Sequence, residues 1–536
     1  MVTIVRGGAL LKLNYWQWFA LRFASSLLLS TTFVPDEHWQ SAEVAHEYVY
    51  KYGYKTWEWT EQLRSFFYPS VFAAVMEALR WLQADTHTTI WVGMCAVQAG
   101  IAAIGDASFS YFVRSRFSSA ISIPSLSFYV FNWLLNYSMP RTLFNSAECA
   151  FFLLSLRFWP LFNQKGRDTI MCGIAAALAF ATRPTAAVLF LPLPLLTLIW
   201  RGVRKGGKDL FVAFISFTLT TVVTSIIDRY YYDEWTVPAL NFFHFNFQSG
   251  GASLYGMHDV FWYVYNGVPT ALTLATPFAV IGVVVIAVMR RGGGEGEKGE
   301  KTVLTIVLVT LAVLSAVKHK EVRFILPITP LLCIISAVGY NSVMEMQAKH
   351  RGVGASYLRR FFTFFGVANI VLFLFFARAH KSGGLAVANF MAKTETYTSF
   401  LLALPCHTFP GMHRVHRQDI LVTHLECTPE MREEDKREDM AFLLKFGDSI
   451  LSRPDLEECV FTYREYAVKA SSVFTSLDYR EVAAFPHTPF PDEGDGEGNV
   501  IVAVCKCKGD DCEREWVEQK RREEDEKTAY MQPADM

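Results

Sequence analysis

An all-α, polytopic membrane protein is the fold class that the 536-residue sequence predicts, and three observations predict it. The composition is 52% hydrophobic and 15% aromatic, too apolar for an ordinary soluble domain. The apolar residues stand in long blocks, many near the roughly 20 residues that a membrane-spanning helix needs. Lys and Arg gather in short connectors such as "RGVRKGGK" and "RRGGGEGEKGEK" between those blocks. The formal net charge of -1 hides this unevenness, and it implies no nucleic-acid partner.

Taken in order, the first block spans 14–32. It follows Arg6 and Lys12 and no small-residue cleavage site comes after it, so it reads as a retained first helix. Further spans are expected at 90–112, 118–137, 144–162, 209–227, 268–289, 302–317, 325–342 and 360–377. A pair at 169–183 and 185–200 is split by Arg183-Pro184. The total is about 11–13 transmembrane helices. Segment 67–83 is ambiguous: Glu77 and Arg80 make it look like a helix lying in the interface, and if it crosses instead, one of the following segments must be re-entrant. Counting positive charge puts the N-terminus and the basic connectors in the cytoplasm. The opposite, lumenal side then holds residues 33–89, 228–267, 318–324 and everything after about 378. The domain reading is therefore a membrane domain over 1–380 and a lumenal C-terminal region over 381–536, ending in an acidic, flexible tail.

Six of the ten cysteines, Cys406, Cys427, Cys459, Cys505, Cys507 and Cys512, lie in that C-terminal region, where an oxidising compartment permits disulfides. The "CKCKGDDC" cluster offers three tightly spaced thiols without a nearby histidine, a poor zinc site. No metal and no cofactor is expected.

The polar features of the lumenal side are "VPDEHWQ" (34–40), "TWEWTEQLRSFFYPS" (56–70), "DEWTVPALNFFHFNF" (233–247), "LYGMHDVFWYVYNGVP" (254–269), "VKHKEVRFILP" (317–327) and "PCHTFPGMHRVH" (405–416). All abut expected helices on one face of the membrane, which argues for one site. Structural roles compete with that reading. Trp57, Trp59, Trp262 and Tyr263 suit an aromatic belt, Asp36 suits a helix N-cap, and Lys318, His319 and Lys320 suit snorkelling anchors at a helix end. A cap, however, needs one acceptor, whereas Asp36 and Glu37 stand side by side at a depth where ionisable groups are costly. A carboxylate can accept a proton from an attacking sugar hydroxyl, and Lys, His⁺ and Arg can stabilise a departing phosphate. Such a set suits glycosyl transfer from a lipid phosphate, with protein cations in place of a metal.

In order and spacing, "PDEHWQ", "WEW…LRS…YP", "FNF…LYGMH…WY…NGVP" and "HKEVRF" resemble the polyisoprenol-phosphate-mannose-dependent mannosyltransferases of glycosyltransferase family 22, which have the GT-C fold. The resemblance covers residues 30 to about 345. It is closest to the subfamily that adds the third mannose of the glycosylphosphatidylinositol (GPI) anchor core, judging by "NFFHFNFQSGGASLYGMH" and the "PCH" segment. Asp259 and Phe261 depart from that subfamily's pattern.

The resemblance implies inverting transfer of mannose from dolichol-phosphate-mannose to a GPI-precursor glycolipid, giving an α1,2-linked third mannose in the endoplasmic reticulum lumen. Asp36 is the candidate general base and Glu37 a catalytic neighbour that orients the acceptor or the base. Lys318, His319, Lys320 and Arg323 are the candidate donor-phosphate ligands. His38, Glu58, Arg64, Tyr255, His258 and Glu321 are supporting residues of the same cavity. The alternatives are mannosylation of the lipid-linked N-glycan precursor, addition of a fourth GPI mannose, a non-catalytic lipid-binding protein, and a transporter. The expected partners are the lipid donor, the glycolipid acceptor and membrane lipids.

Overall fold

The structure is a computed structural model describing residues 13–32, 34, 36–162, 166–248, 256–289, 294–349, 354–405, 407–425, 446–451, 453, 456–490 and 498–507. Tyr255, Cys406, Cys427, Cys512 and the acidic tail lie outside the described residues. The chain divides into two compact units. The first comprises Met1–Ser30, Asp36–Arg378 and Gly411–His413, and the second comprises Thr31–Pro35, Ala379–Pro410 and Arg414–Met536.

The first unit is helical. Seven of its described helices are long and apolar enough to cross a membrane: His87–Arg116, Pro184–Arg201, Val203–Tyr232, Tyr263–Met289, Glu295–Ala316, Val322–Gln347 and Arg360–Arg378. Each matches an expected span. The other expected segments are also helical but shorter: Tyr15–Leu28, Phe67–Trp81, Ser119–Phe131, Phe144–Phe158 and Gly166–Thr182. One reason is visible at 118–137, where the helix breaks at Asn132. That side chain accepts from Leu135 N–H (2.9 Å), which starts the new helix Trp133–Ser138, and donates to the Ala271 carbonyl (2.7 Å). Phe67–Trp81 is amphipathic, burying Tyr68, Phe72 and Met76 while the Glu77–Arg80 ion pair stays exposed.

Buried charge ties the N-terminal helices together. Arg22 makes a two-pronged pair with Asp106 (2.7 and 2.9 Å) and donates to the Leu135 carbonyl and Asn136 Oδ1; the Tyr129 hydroxyl completes the Asp106 shell. Arg22 and Asp106 are both fully buried, so the pair is tolerable only because its donors and acceptors are matched. Elsewhere small residues permit close packing. A Cβ on Gly282 would lie 2.0 Å from the Ile335 carbonyl oxygen, and one on Gly339 would lie 2.0 Å from that of Phe278, so these two helices meet backbone to backbone.

The second unit, which holds most of the small C-terminal region, is built on a five-stranded mixed sheet. Its strands are β1 (Ser399–Leu402), β2 (Leu421–His424), β3 (Cys459–Tyr463), β4 (Tyr479–Pro486) and β5 (Val500–Lys506), in the order β2-β1-β3-β5-β4. β1 pairs parallel with β2 and β3, while β5 pairs antiparallel with β3 and β4. Leu401, Val460, Val502, Val504 and Phe474 form its core. Cys459 and Cys505 are direct cross-strand partners and are disulfide-bonded, as expected for that region; Cys507 is disulfide-bonded as well.

Candidate active site

The "PDEH" stretch opens a helical turn. Asp36 and Glu37 lead into the π-helical turn His38–Ala42 and the helix Glu43–Tyr50, and Ser41 Oγ donates to the Glu37 carbonyl (2.6 Å). Consecutive residues on a helical turn project roughly 100° apart, and the two carboxylates accordingly take different partners. Asp36 keeps about a third of its side chain exposed (29%) and pairs with Arg323 Nη1 at 2.8 Å. Glu37 is buried and pairs with Arg141 at 2.6 Å, whose guanidinium lies 4.1 Å from the centre of the Tyr137 ring.

Arg323 is the second residue of the 3₁₀ turn Val322–Ile328 and also holds Glu321 at 2.6 Å; Glu321 in turn meets His319 Nε2 at 3.0 Å. The result is a continuous line from Asp36 through Arg323 and Glu321 to His319. Burial raises the pKa of Glu321, but Arg323 and the His319 hydrogen bond outweigh it and hold the carboxyl below its usual range.

Two further arginines flank this line. Arg64 grips Glu58 with two hydrogen bonds (2.8 and 2.9 Å), and Gln40 donates to the same carboxylate (3.1 Å). Burial alone would lower the Arg64 pKa; the Glu58 charge raises it. Arg183 pairs with Glu148 (3.2 Å) and donates to Asn145 (2.7 Å), while Asn145 donates to the Arg323 carbonyl (3.2 Å). The Arg183 and Arg323 guanidiniums both lie near the Phe324 ring, 5.2 and 5.6 Å from its centre. Both Arg64 and Arg183 are within electrostatic reach of Arg323. A cavity of ≈60 Å³ opens beside Arg64 and Arg183, walled by Phe180, Thr224, Asp228, Pro238 and Phe242.

The remaining candidates sit apart from that line. Lys320 is buried, and its ammonium donates to the backbone carbonyls of His258 (3.1 Å) and Val317 rather than joining Arg323. Burial lowers its pKa. Lys318 is exposed, with its carbonyl accepting from His258 N–H (3.0 Å); the His258 ring stacks on Trp262. His38 stacks on His413 at 5.1 Å. Arg141, Glu148 and Arg183 escaped the reading of the sequence, where Arg183-Pro184 stood only as a helix break. Their signal was present, since ionisable residues inside apolar segments mark functional or pinned positions. Among the described residues no group of three or more His, Cys, Asp or Glu is placed to hold a metal ion.

The chain matches the profile of the Alg9-like mannosyltransferase family over residues 13–416. It is similar to GPI alpha-1,2-mannosyltransferase 3 of Bos taurus, with 30% identity covering 91% of this chain and 88% of the relative. It is also similar to the mannosyltransferase APTG1 of Arabidopsis thaliana, 29% identical over 90% of each chain. Among solved structures, ArnT from Cupriavidus metallidurans bound to undecaprenyl phosphate superposes with a TM-score of 0.59 at 12% identity, covering 91% of this chain and 96% of that one. The apo form of the same protein gives 0.51. That likeness concerns the fold alone, and with the apolar helices it makes the chain a multi-pass membrane protein of GT-C architecture. The matched profile and the relatives along nine-tenths of the sequence establish that this chain is a glycosyltransferase belonging to the Alg9-like mannosyltransferase family.

Proposed function

We propose that the protein transfers mannose from dolichol-phosphate-mannose to the second mannose of a GPI-anchor precursor. The product carries an α1,2-linked third mannose, formed by inversion at the lumenal face of the endoplasmic reticulum membrane. The acceptor is inferred from the activity for which such relatives are named. The chemistry rests on one observation, the pairing of the partly exposed Asp36 with Arg323.

In this reading residues 1–380 form the catalytic domain. Asp36 takes the proton from the acceptor hydroxyl as that oxygen forms a bond to C1 of mannose. The C1–O bond to phosphate breaks, its electron pair leaves with dolichyl phosphate, and Arg323 offsets the developing charge with Arg64 and Arg183 nearby. The donor phosphate competes with Asp36 for Arg323, so donor binding frees the carboxylate to act as base. Glu37, committed to Arg141, is not a second reacting carboxylate, which suits single displacement with inversion. Lys320 anchors the "HKEVRF" turn by bonding the backbone carbonyls of His258 and Val317, and His319 reaches the site through Glu321.

The test is purified full-length enzyme given dolichol-phosphate-mannose with, separately, GPI precursors bearing one, two or three mannoses and the lipid-linked N-glycan precursor. Transfer confined to the two-mannose GPI lipid, with a product sensitive to an α1,2-specific mannosidase, is the expected result. Transfer to the N-glycan precursor or to the three-mannose lipid instead would overturn the assignment.

A further inference from the structure

Glu43 is a carboxylate with no exposed surface, an expensive group to bury unless its oxygens are satisfied. They are satisfied from far away in sequence. Oε2 accepts from the His413 backbone N–H (2.9 Å) and from His413 Nδ1 (3.1 Å), and Oε1 accepts from the Tyr54 N–H (3.1 Å). His413 is also fully buried.

The backbone on both sides is shaped to this carboxylate. Gly411 has φ +111°, a conformation that side chains other than glycine's strain to adopt, and a Cβ there would fall 2.4 Å from Glu43 Oε2. Gly53 has φ +131°, with its would-be Cβ 2.9 Å from Glu43 Oε1. Residues Gly411–His413 belong to the first compact unit although the chain before and after them belongs to the second. The His413 ring stacks on His38 with centroids 5.1 Å apart and planes inclined by 29°. His38 opens the π-helical turn two residues after Asp36.

We propose that Glu43 and His413 form a lock that positions the Asp36–His38 turn, so that three residues from beyond the Arg360–Arg378 helix, Gly411–His413, are required to aim the base. Both are positioning residues, acting through His38 and the turn; the inference rests on the reading of Asp36 as general base. The lock acts on the orientation of one carboxylate, so its loss slows the chemical step and leaves donor binding by the arginines in place.

Steady-state kinetics of full-length E43Q, H413A, H413N and the H413A/E43Q double variant test this, with D36N as the control for the base. Since small displacements of a reacting group cost about tenfold to 100-fold, H413A is expected to lower kcat by at least about tenfold with the donor KM within about twofold. H413N, which keeps an N–H for Glu43, recovers most of the loss, and the double variant is no worse than H413A because the two residues act as one unit. Amide hydrogen exchange across residues 36–50 rises in H413A but not in H413N. If H413A does not fold, E43Q and H413N carry the same comparison. Normal kcat in H413A while D36N is inactive overturns the lock, as does a rise in donor KM without a fall in kcat. Activity retained by D36N overturns the reading of the base instead, and hydrogen exchange then still decides whether the lock orders the turn.

Discussion

Asp36 Oδ2 and Arg323 Nη1 stand 2.8 Å apart, joining the turn after the first helix to the start of the Val322–Gln347 helix. The pair holds the proposed base against the proposed phosphate ligand before any substrate arrives. D36N, which keeps the shape and removes the basicity, is expected to lower kcat by about 100-fold or more. R323A is expected to raise the donor KM as well as slow turnover. Near-normal turnover in membrane-inserted D36N would remove Asp36 from the mechanism.

Glu37 calls for a different outcome. Its pair with Arg141 is almost wholly buried, with side-chain exposures of 6% and 1%. Breaking such a pair by removing one partner costs about 3–5 kcal/mol because the other charge is left uncompensated. E37Q is expected to lower the thermal midpoint in detergent more than it lowers kcat of the folded enzyme, and E37Q/R141M to regain stability. A kcat loss as large as that of D36N, without a stability loss, would make Glu37 a reacting group.

The cation cluster separates the basic residues by role. R183A is expected to raise the donor KM, since Arg183 shares Asn145 and the Phe324 ring with Arg323. K318A, at an exposed side chain, is expected to leave it unchanged. With three guanidiniums available for the phosphate, activity is expected to survive chelation by EDTA. Loss on chelation with recovery on adding manganese would contradict this account of the leaving group.

His487 gives the second unit a pH dependence. Burial pushes its pKa from the ordinary 6.5 down to about 3, with Lys381 and His380 adding to the shift. Between those values the unfolded chain binds a proton that the folded unit refuses, so stability falls as pH drops, by about 1.4 kcal/mol per pH unit for one proton. Protection of this unit from proteolysis is expected to weaken between pH 6.5 and 4.5, and H487Q to weaken less over that range. An equal loss in H487Q would assign the effect to other groups.

Topology is tested with single cysteines at exposed positions in a background cleared of reactive thiols. T60C and S472C are expected to resist an impermeant thiol reagent in sealed, cytoplasmic-side-out microsomes and to react once the membrane is opened, while K205C reacts at once. Labelling of S472C in sealed vesicles would place the second unit in the cytoplasm.

The sequence by itself determined the helical membrane class and where the apolar helices lie, and it offered the residue types of the candidate site, because apolar block length and charge are properties of a continuous stretch of chain. "PDEH" and "HKEVRF" stood out for the same reason. Only the tertiary structure decided which carboxylate meets which cation. Asp36 and Glu37 are neighbours in sequence, yet the helical turn sends one to Arg323 and the other to Arg141, 104 residues away. Lys320 looked equal to Arg323 until the turn aimed its ammonium at two backbone carbonyls. The Glu43–His413 pair, 370 residues apart, leaves no local signature because each partner is supplied by a distant segment. The five-stranded sheet was hidden for a related reason. Strands of four to eight residues, two of the pairings parallel, acquire their register only when segments far apart in the chain come together.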